Sequence, residues 1–278
     1  MQSGSTTPDW PGWRGDKWQQ HLEPMEAMLH VVDEPLVAAL DLDDRCRVAD
    51  IGCGGGHTSR SIARAAPTGS VVHGYDINAR LVRSARERAG DLEVEFQVAD
   101  AEQFRPERRY DRLASRFGVM FFADPHAAFA NLRHWLNPGG RFAFAVWGAA
   151  RDNPWVTVVR DVIGRIVDLP AATPDAPGPF RYGEDGALER LLREVGFAGV
   201  STEAWSGRLA VGGGLDAAAS AEFCLAAYST LAELLARAGA AAHERAHAAL
   251  TRALQEHEHD GRVTLPCRVA IVRGERGP

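Results

Sequence analysis

This sequence has a single lysine, no closely spaced pair of cysteines and no excess of basic charge. Lys17 is the only lysine among 31 basic residues, so no glycine-rich loop carries the lysine that a phosphate-binding P-loop needs. Four cysteines, Cys46, Cys53, Cys224 and Cys267, form no CxxC pair and no metal-ligand spacing, so we expect reduced thiols and no metal. A net charge of −6 and a pI near 5.9 argue against a nucleic-acid partner, which usually meets a basic stripe.

Long apolar runs are missing as well. The longest apolar-looking stretch, residues 217–242, is interrupted by Glu222, Glu233 and Arg237, whereas a membrane span needs about 18 to 20 uninterrupted apolar residues. The first residues, MQSGSTTPDWPGW, hold no apolar segment of the kind found in signal peptides. We therefore expect a cytoplasmic protein with no membrane span.

Strand-like and helix-like segments alternate from Arg47 to Trp147, beginning with RVADIG and ending with RFAFAVWG. Such alternation indicates βαβ units and a parallel sheet with helices on both faces. The chain closes on RVTLPCRVAIVRG, which we expect to pair antiparallel at the sheet edge. The predicted fold class is α/β, a doubly wound, mostly parallel seven-stranded sheet of the Rossmann-like type with an antiparallel last strand and a helical cap.

The predicted organisation is an N-terminal helical segment over residues 1–45 and a main domain over residues 46–278. Cap insertions are expected at about 150–185 and 213–260. Tryptophans 10, 13 and 18 lie in a short stretch rich in Pro and Gly, which has no means of burying them locally. We expect residues 10–21 to fold over the ligand site as a lid, with Trp18 on the cofactor side.

A glycine-rich loop, DIGCGGGH, follows the first strand of the alternation. The dinucleotide pattern GxGxxG does not fit it, because the third glycine would fall on His57 or Ser59. The pattern DxGxGxG does fit, from Asp50 to Gly56. Glycines let the backbone approach an adenosine-bearing ligand closely, and an acid at the strand tip suits an ammonium group better than a pyrophosphate.

Three later segments strengthen this interpretation. VVHGYDIN ends a strand with Asp76, which can accept from both ribose hydroxyls, a feature shared with NAD enzymes. QVADAEQF, with Asp100 and Ala101, and ASRFGVMFFADP follow the next two strands, and LRHWLNPGGRFAFAVW carries a Pro-Gly-Gly turn with Asn137 at a usually basic position. In this order and spacing, the segments resemble class I S-adenosylmethionine-dependent methyltransferases, in particular the ubiquinone/menaquinone-biosynthesis-type branch that acts on small molecules.

The resemblance implies S-adenosyl-L-methionine as cofactor and S-adenosyl-L-homocysteine as product. It implies methyl transfer to a fairly hydrophobic small molecule, in bacterial secondary (natural-product) or quinone-type metabolism. The cofactor-binding residues expected from it are Trp18, Asp50, Gly52, Cys53, Gly54, Asp76, Ile77, Asp100, Ala101, Glu102, Ser115 and Arg116. The aromatic residues expected at the acceptor are Phe117, Phe121, Trp147, Trp155 and Tyr182.

The sequence departs from the family after the fourth strand, where many relatives carry histidine and this chain has Phe121 and Phe122. A general base is needed only if the acceptor must lose a proton. His21 is the predicted catalytic residue, and the remaining candidates for a base are His126, Asp152 and Tyr182.

Two other functions are left open. A protein of the same fold could bind the cofactor without methylating, and tight cofactor binding with no S-adenosylhomocysteine formed on any acceptor would identify it. The segment His243-Glu244-Arg245-Ala246-His247 has the HExxH form of zinc peptidases, but the extended pattern fails at Leu250 and Ala253. The acceptor, the methylated atom and the oligomeric state are not determined, and a homodimer is one of the states left open.

Overall fold

A computed structural model describes residues 9–170, 173 and 175–277. Its α-helices and strands are, in chain order, α1 (Trp13–Gln20), α2 (Leu22–Leu29), α3 (Asp33–Ala38), β1 (Arg47–Ile51), α4 (His57–Ala65), β2 (Val71–Asp76), α5 (Ala79–Glu87), β3 (Val94–Val98), β4 (Tyr110–Arg116), α6 (Pro125–Trp135), β5 (Leu136–Trp147), α7 (Pro154–Gly164), α8 (Ala187–Glu194), β6 (Phe197–Ala210), α9 (Ala217–Ala227), α10 (Ser229–Ala238), α11 (Ala240–Gln255), β7 (Glu258–His259) and β8 (Arg262–Arg276). No helix within these ranges is long and apolar enough to cross a membrane.

Seven strands form one sheet in the order β3-β2-β1-β4-β5-β8-β6, and the two-residue β7 pairs with β8. Strands β1 to β5 pair in parallel, whereas β8 runs antiparallel to both of its neighbours. The predicted fold class is confirmed. The last strand is not outermost, however, because β8 lies between β5 and β6. Its buried residues Val269, Ile271 and Val272 pack in the core, which an interior position allows.

Helix α5 begins directly after β2, where a side chain caps it. Asn78 Oδ1 accepts the backbone N–H groups of Arg80 and Leu81, at 2.9 and 3.0 Å, and so starts α5 directly after β2. The same helix buries Leu81, Val82 and Ala85 on one face, which is the helical spacing expected for a helix packed on a sheet. The strand order reverses between β1 and β4, and open sheets of this kind bind ligands at such a point.

The N-terminal helices belong to the same core as the sheet. Val32, Leu36 and Leu40 have no exposed surface and pack in one cluster with Val48 of β1. The core therefore does not begin at the first strand, and the boundary predicted at residue 45/46 separates segments that share it. Only the part before Leu22 contributes few buried residues.

Candidate functional site

The backbone conformation of the loop between β1 and α4 requires its glycines. Gly52, Gly54 and Gly56 have φ of +68°, +55° and +80°, a region that residues with a Cβ rarely adopt. A Cβ on Gly52 would also come within 2.8 Å of the Cα of Gly118, and one on Gly56 within 2.6 Å of the Phe96 ring. Glycine at every second position of this loop therefore allows the backbone to turn tightly at the end of β1.

A cavity of about 360 Å³ lies where the carboxyl ends of β1, β2, β3 and β4 meet, a size typical of small-molecule sites. Ten of the twelve residues predicted for the cofactor line it: Trp18, Gly52, Cys53, Gly54, Asp76, Ile77, Asp100, Ala101, Glu102 and Arg116. They come together because parallel strands present their carboxyl ends at one edge of the sheet.

Asp76, at the end of β2, is fixed by backbone groups on both sides. The N–H of Gly54 donates to its Oδ2 at 2.9 Å and the N–H of Asn78 to its Oδ1 at 2.8 Å. Burial raises the pKa of Asp76 despite these bonds. Because an ionised carboxylate offers about four lone-pair sites, its oxygens retain capacity toward the cavity.

The loop after β3 carries two acids with different roles. Asp100 accepts the N–H of Glu102 at 3.0 Å and the side-chain amide of Gln103 at 2.9 Å. The carboxylate of Glu102 accepts the backbone N–H groups of Ala123 and Asp124, at 2.8 and 3.2 Å. Glu102 thereby ties this loop to the segment after β4 and braces the cavity wall.

Two predicted cofactor residues do not line the cavity. Asp50 is 1% exposed, and the Ser59 hydroxyl donates to its Oδ2 at 2.6 Å, while its Oδ1 has no partner among the described residues. The hydroxyl of Ser115 donates to the carbonyl of Ile51 at 2.7 Å. Both side chains point into the protein and support the loop from behind, because β1 and β4 are central strands with covered faces.

Among the described residues, Arg116 supplies the only guanidinium that lines this cavity. Its Nη1 lies 3.2 Å from Asp33 Oδ1, outside hydrogen-bond geometry. Asp33 also accepts from the Thr58 hydroxyl at 2.8 Å and from His57 Nδ1 at 2.7 Å. Burial pushes the pKa of Asp33 upward, but Arg116 and these hydrogen bonds together hold it below its usual value. Asp33 remains charged and keeps Arg116 in place.

A second cavity of about 260 Å³ adjoins the first, and five residues line both: Trp10, Trp18, Leu29, Phe117 and Phe121. Its wall is largely apolar and includes a group of packed aromatic rings. Phe117 stacks on Trp147 at 4.1 Å between ring centroids, and Trp155 lies 4.6 Å from Trp147. Tyr182, predicted here, lines neither cavity. It is buried beside Phe129 instead, and burial raises its pKa.

None of the four candidates for a general base lines either cavity. His21 precedes α2 and turns its ring toward Phe223 of α9, at 6.1 Å between centroids. Burial, with the nearby charge of Lys17, lowers the pKa of His21. His126 is on the exposed side of α6, 3.9 Å from Glu194. The prediction of His21 as the catalytic residue is not supported by its position.

The segment before α2 lies over both cavities. The ring of Trp10 is 4.7 Å from that of Phe121. The side-chain amide of Asn78 donates to the carbonyl of Trp10 at 3.0 Å, and Asp16 pairs with Arg80 at 3.0 Å. These contacts attach the segment to α5, at the edge of the cofactor cavity.

Several lining residues were not predicted: Arg14, Glu26, Thr58, Arg160, Phe180 and Tyr228. Glu26 is 5% exposed and pairs with Arg88 at 2.6 Å. A helical projection of HLEPMEAML places Glu26 beside Leu22 and Met25 on a buried face, so a charged residue there was a usable signal. The others come from distant segments and carry no local signal.

The HExxH segment lies on α11. His247 Nε2 is 3.2 Å from the carbonyl of Ala218 and 4.0 Å from Glu222. Within the described ranges, no group of three or more His, Cys, Asp or Glu side chains is arranged to hold a metal ion. Nothing in this geometry favours a peptidase.

Residues 48–140 match the family model described as a methyltransferase domain. This range runs from β1 to the start of β5 and contains most of the residues that line the first cavity. Residues 48–140 therefore form a methyltransferase domain, which supports the resemblance to class I S-adenosylmethionine-dependent enzymes. A methyltransferase domain supports S-adenosylmethionine as the cofactor, whereas the quinone-type branch stays a prediction.

Two relatives illustrate the match. Malonyl-[acyl-carrier protein] O-methyltransferase 1 of Ilyobacter polytropus is 29% identical over 120 residues, which is 43% of this chain and 44% of that protein. Aklanonic acid methyltransferase DauC of Streptomyces sp. strain C5 is 33% identical over 126 residues, 44% of this chain and 54% of DauC. The chain thus spans about half the length of the relatives that it matches.

The solved structure of YcgJ from Bacillus subtilis has the same fold. It superimposes with a TM-score of 0.57 and 16% identity, covering 90% of this chain and 99% of YcgJ. At this identity the similarity concerns the fold alone, and the shared fold covers most of the chain.

Asp50 predicts a pH dependence of stability. Burial raises its pKa to about 7, against a usual value of 3.8, although Ser59 and Arg116 favour the charged form. Between about pH 4 and 7, native Asp50 keeps a proton that the unfolded chain releases, so stability falls as pH rises. Asp50→Asn removes this titration. Its stability relative to the wild type should increase by about 2 kcal/mol from pH 5 to pH 8, measured by urea unfolding without cofactor.

The matched control for this measurement is Asp91→Asn, because Asp91 is an exposed acid outside both cavities. Its unfolding profile should follow the wild type at both pH values. Parallel profiles for the wild type and Asp50→Asn would contradict the prediction.

Proposed function

We propose that this protein transfers the methyl group of S-adenosylmethionine to a fairly hydrophobic small molecule of secondary or quinone-type metabolism. When bound, S-adenosylmethionine supplies an electrophilic methyl group on a positively charged sulfur. The observation that carries the proposal is the pair of adjoining cavities, one at the glycine loop and one walled by aromatic rings, which share Trp18, Phe117 and Phe121.

The first cavity fits the cofactor chemically. Four carboxylates and one guanidinium line it, a balance that suits a ligand with a sulfonium and an ammonium group. Asp76 would accept the ribose hydroxyls, and Asp100 with the backbone N–H of Ala101 would bind the adenine. The exposed backbone of the loop from Gly52 to Gly54 and the side chain of Arg116 would hold the methionine end, with Glu102 bracing the wall.

The chain's own contribution to the reaction is positioning and the exclusion of water, because the displacement has a good leaving group. Trp18, Phe117 and Phe121 line the junction of the cavities, and aromatic faces there stabilise a sulfonium by cation–π contact. The second cavity has no histidine, cysteine, lysine or carboxylate among its described lining residues. The acceptor is therefore expected to react without a base from that wall.

The relatives support methyl transfer in general. Their names specify a malonyl group on a carrier protein and aklanonic acid as acceptors, and these differ greatly in size. Phe117, Trp147 and Trp155 favour a flat, apolar acceptor in this chain.

The test combines binding with product analysis. We expect one S-adenosylhomocysteine to bind per chain by calorimetry. Incubation with S-adenosylmethionine and a panel of aromatic acids, phenols and quinols should give S-adenosylhomocysteine, measured by mass spectrometry, only when an accepted compound is present. Gly52→Val should abolish both, because a Cβ meets the backbone of Gly118. Tight cofactor binding with no product on any acceptor would instead favour a non-methylating protein.

A further inference from the structure

The two adjoining cavities differ in charge. The first is lined by four acids and one base: Glu26, Asp76, Asp100, Glu102 and Arg116. The second is lined by two bases, Arg14 and Arg160, and by no Asp or Glu among the described residues. Acidic residues outnumber basic ones in the whole chain, 37 to 31, so a cavity with basic residues alone runs against the composition.

Neither arginine is neutralised by the described part of the chain. Arg14 makes one side-chain hydrogen bond, to the Thr230 hydroxyl at 3.4 Å, and Arg160 makes none. Neither takes part in an ion pair. Other arginines near the cavities are paired, such as Arg116 with Asp33 and Arg88 with Glu26. Two unpaired guanidinium groups beside an apolar wall are therefore available to a ligand.

The two arginines line the second cavity from different elements. Arg14 is on α1, in the segment that covers the cavities, and the exposed Arg160 is on α7. Most of the other lining residues are apolar, with Trp155, Phe180 and Leu231 among them. An aromatic body would pack on this wall while an acidic group reached the guanidinium groups.

We propose that the acceptor is an aromatic carboxylic acid, bound as its carboxylate by Arg14 and Arg160. The planar guanidinium presents a fork of donors that matches a carboxylate, and the aromatic wall accounts for the remainder of the molecule. This inference rests on the proposed function, because it concerns the acceptor of the same site, and it adds the charge and chemical class of that acceptor.

Binding of matched probes to the protein saturated with S-adenosylhomocysteine tests the inference. The probes are benzoate, 2-naphthoate and anthracene-2-carboxylate, each paired with its neutral amide, together with 2-naphthyl phosphate. We expect at least one acid to bind roughly tenfold to a hundredfold more tightly than its amide, as measured by calorimetry. Arg14→Gln and Arg160→Gln should each reduce that preference, and the double variant should remove it.

Three further measurements separate recognition by charge from general damage. Arg165→Gln is the matched control, because Arg165 is exposed at the end of α7 and lines neither cavity; it should keep the full preference. Arg160→Lys should keep part of it, since the charge remains. Thermal unfolding and the affinity for S-adenosylhomocysteine should be unchanged in the single variants.

Three results would overturn the inference. The three acids could bind no more tightly than their amides, none of the acids could bind at all, or the preference for the acid could survive in the double variant. A phosphate bound more than tenfold more tightly than 2-naphthoate would overturn the assignment to a carboxylate. Failure of S-adenosylhomocysteine itself to bind would overturn the proposed function, and this is seen before any probe is added.

Discussion

Replacing Asp76 with alanine is expected to weaken S-adenosylhomocysteine binding about a hundredfold, or about 3 kcal/mol. Alanine has no carboxylate to accept the ribose hydroxyls. The oxygens of Asp76 also accept the N–H groups of Gly54 and Asn78, and these bonds would be lost too. The glycine loop would lose one of its fixed points at the same time, so the effect should exceed that of one ligand hydrogen bond. Isothermal titration calorimetry measures it directly.

Asp76→Asn provides the graded comparison, because the amide keeps the shape but has one acceptor oxygen. It should weaken binding by about tenfold. Asp91→Ala is the control for charge, since this acid is exposed and outside both cavities. An unchanged dissociation constant in Asp76→Ala, with the protein folded by circular dichroism, would disprove the role of Asp76.

Removal of residues 1–20 is expected to reduce turnover by about a hundredfold or more, while the sheet stays folded. Trp10 and Trp18 line both cavities, so their loss would open the junction to water, which a closing segment otherwise excludes. Misplacement of the acceptor by about 1 Å is enough for an effect of this size. The deletion ends before His21 and Leu22, and it leaves Val32, Leu36 and Leu40 in the core.

Turnover on an accepted substrate and hydrogen exchange over residues 9–20 test this prediction together. Exchange of this segment should slow when S-adenosylhomocysteine binds, because its attachments to α5 lie at the edge of the cofactor cavity. Trp13→Ala is the matched control, since Trp13 is exposed and lines neither cavity. Full activity after the deletion, or exchange that does not respond to ligand, would rule out a lid.

The glycine loop and the acids at the strand ends could be predicted from the sequence because their causes are local. Gly52, Gly54 and Gly56 are needed where φ is positive, and that requirement follows from the covalent chemistry of single residues. Asp76 and Asp100 follow strands that must be parallel because helices connect them. Parallel strands bring their carboxyl ends to one edge, so their order along the chain was enough to place both acids at one cavity.

Side-chain direction and long-range packing could not be predicted in the same way. The hydroxyl of Ser115 turns toward the carbonyl of Ile51, and His21 turns toward Phe223. The packing of neighbouring elements decides which way each side chain points. A residue's type does not encode this direction. Tyr182 likewise packs on Phe129 and not at the acceptor.

The sequence by itself determined the α/β sheet, the cofactor loop and the acids beside it. Only the tertiary structure brought Arg14 and Arg160 to one cavity and placed β8 between β5 and β6. The physical reason is distance along the chain. Contacts between segments more than a hundred residues apart depend on how whole elements pack, and no local pattern of residues specifies that packing.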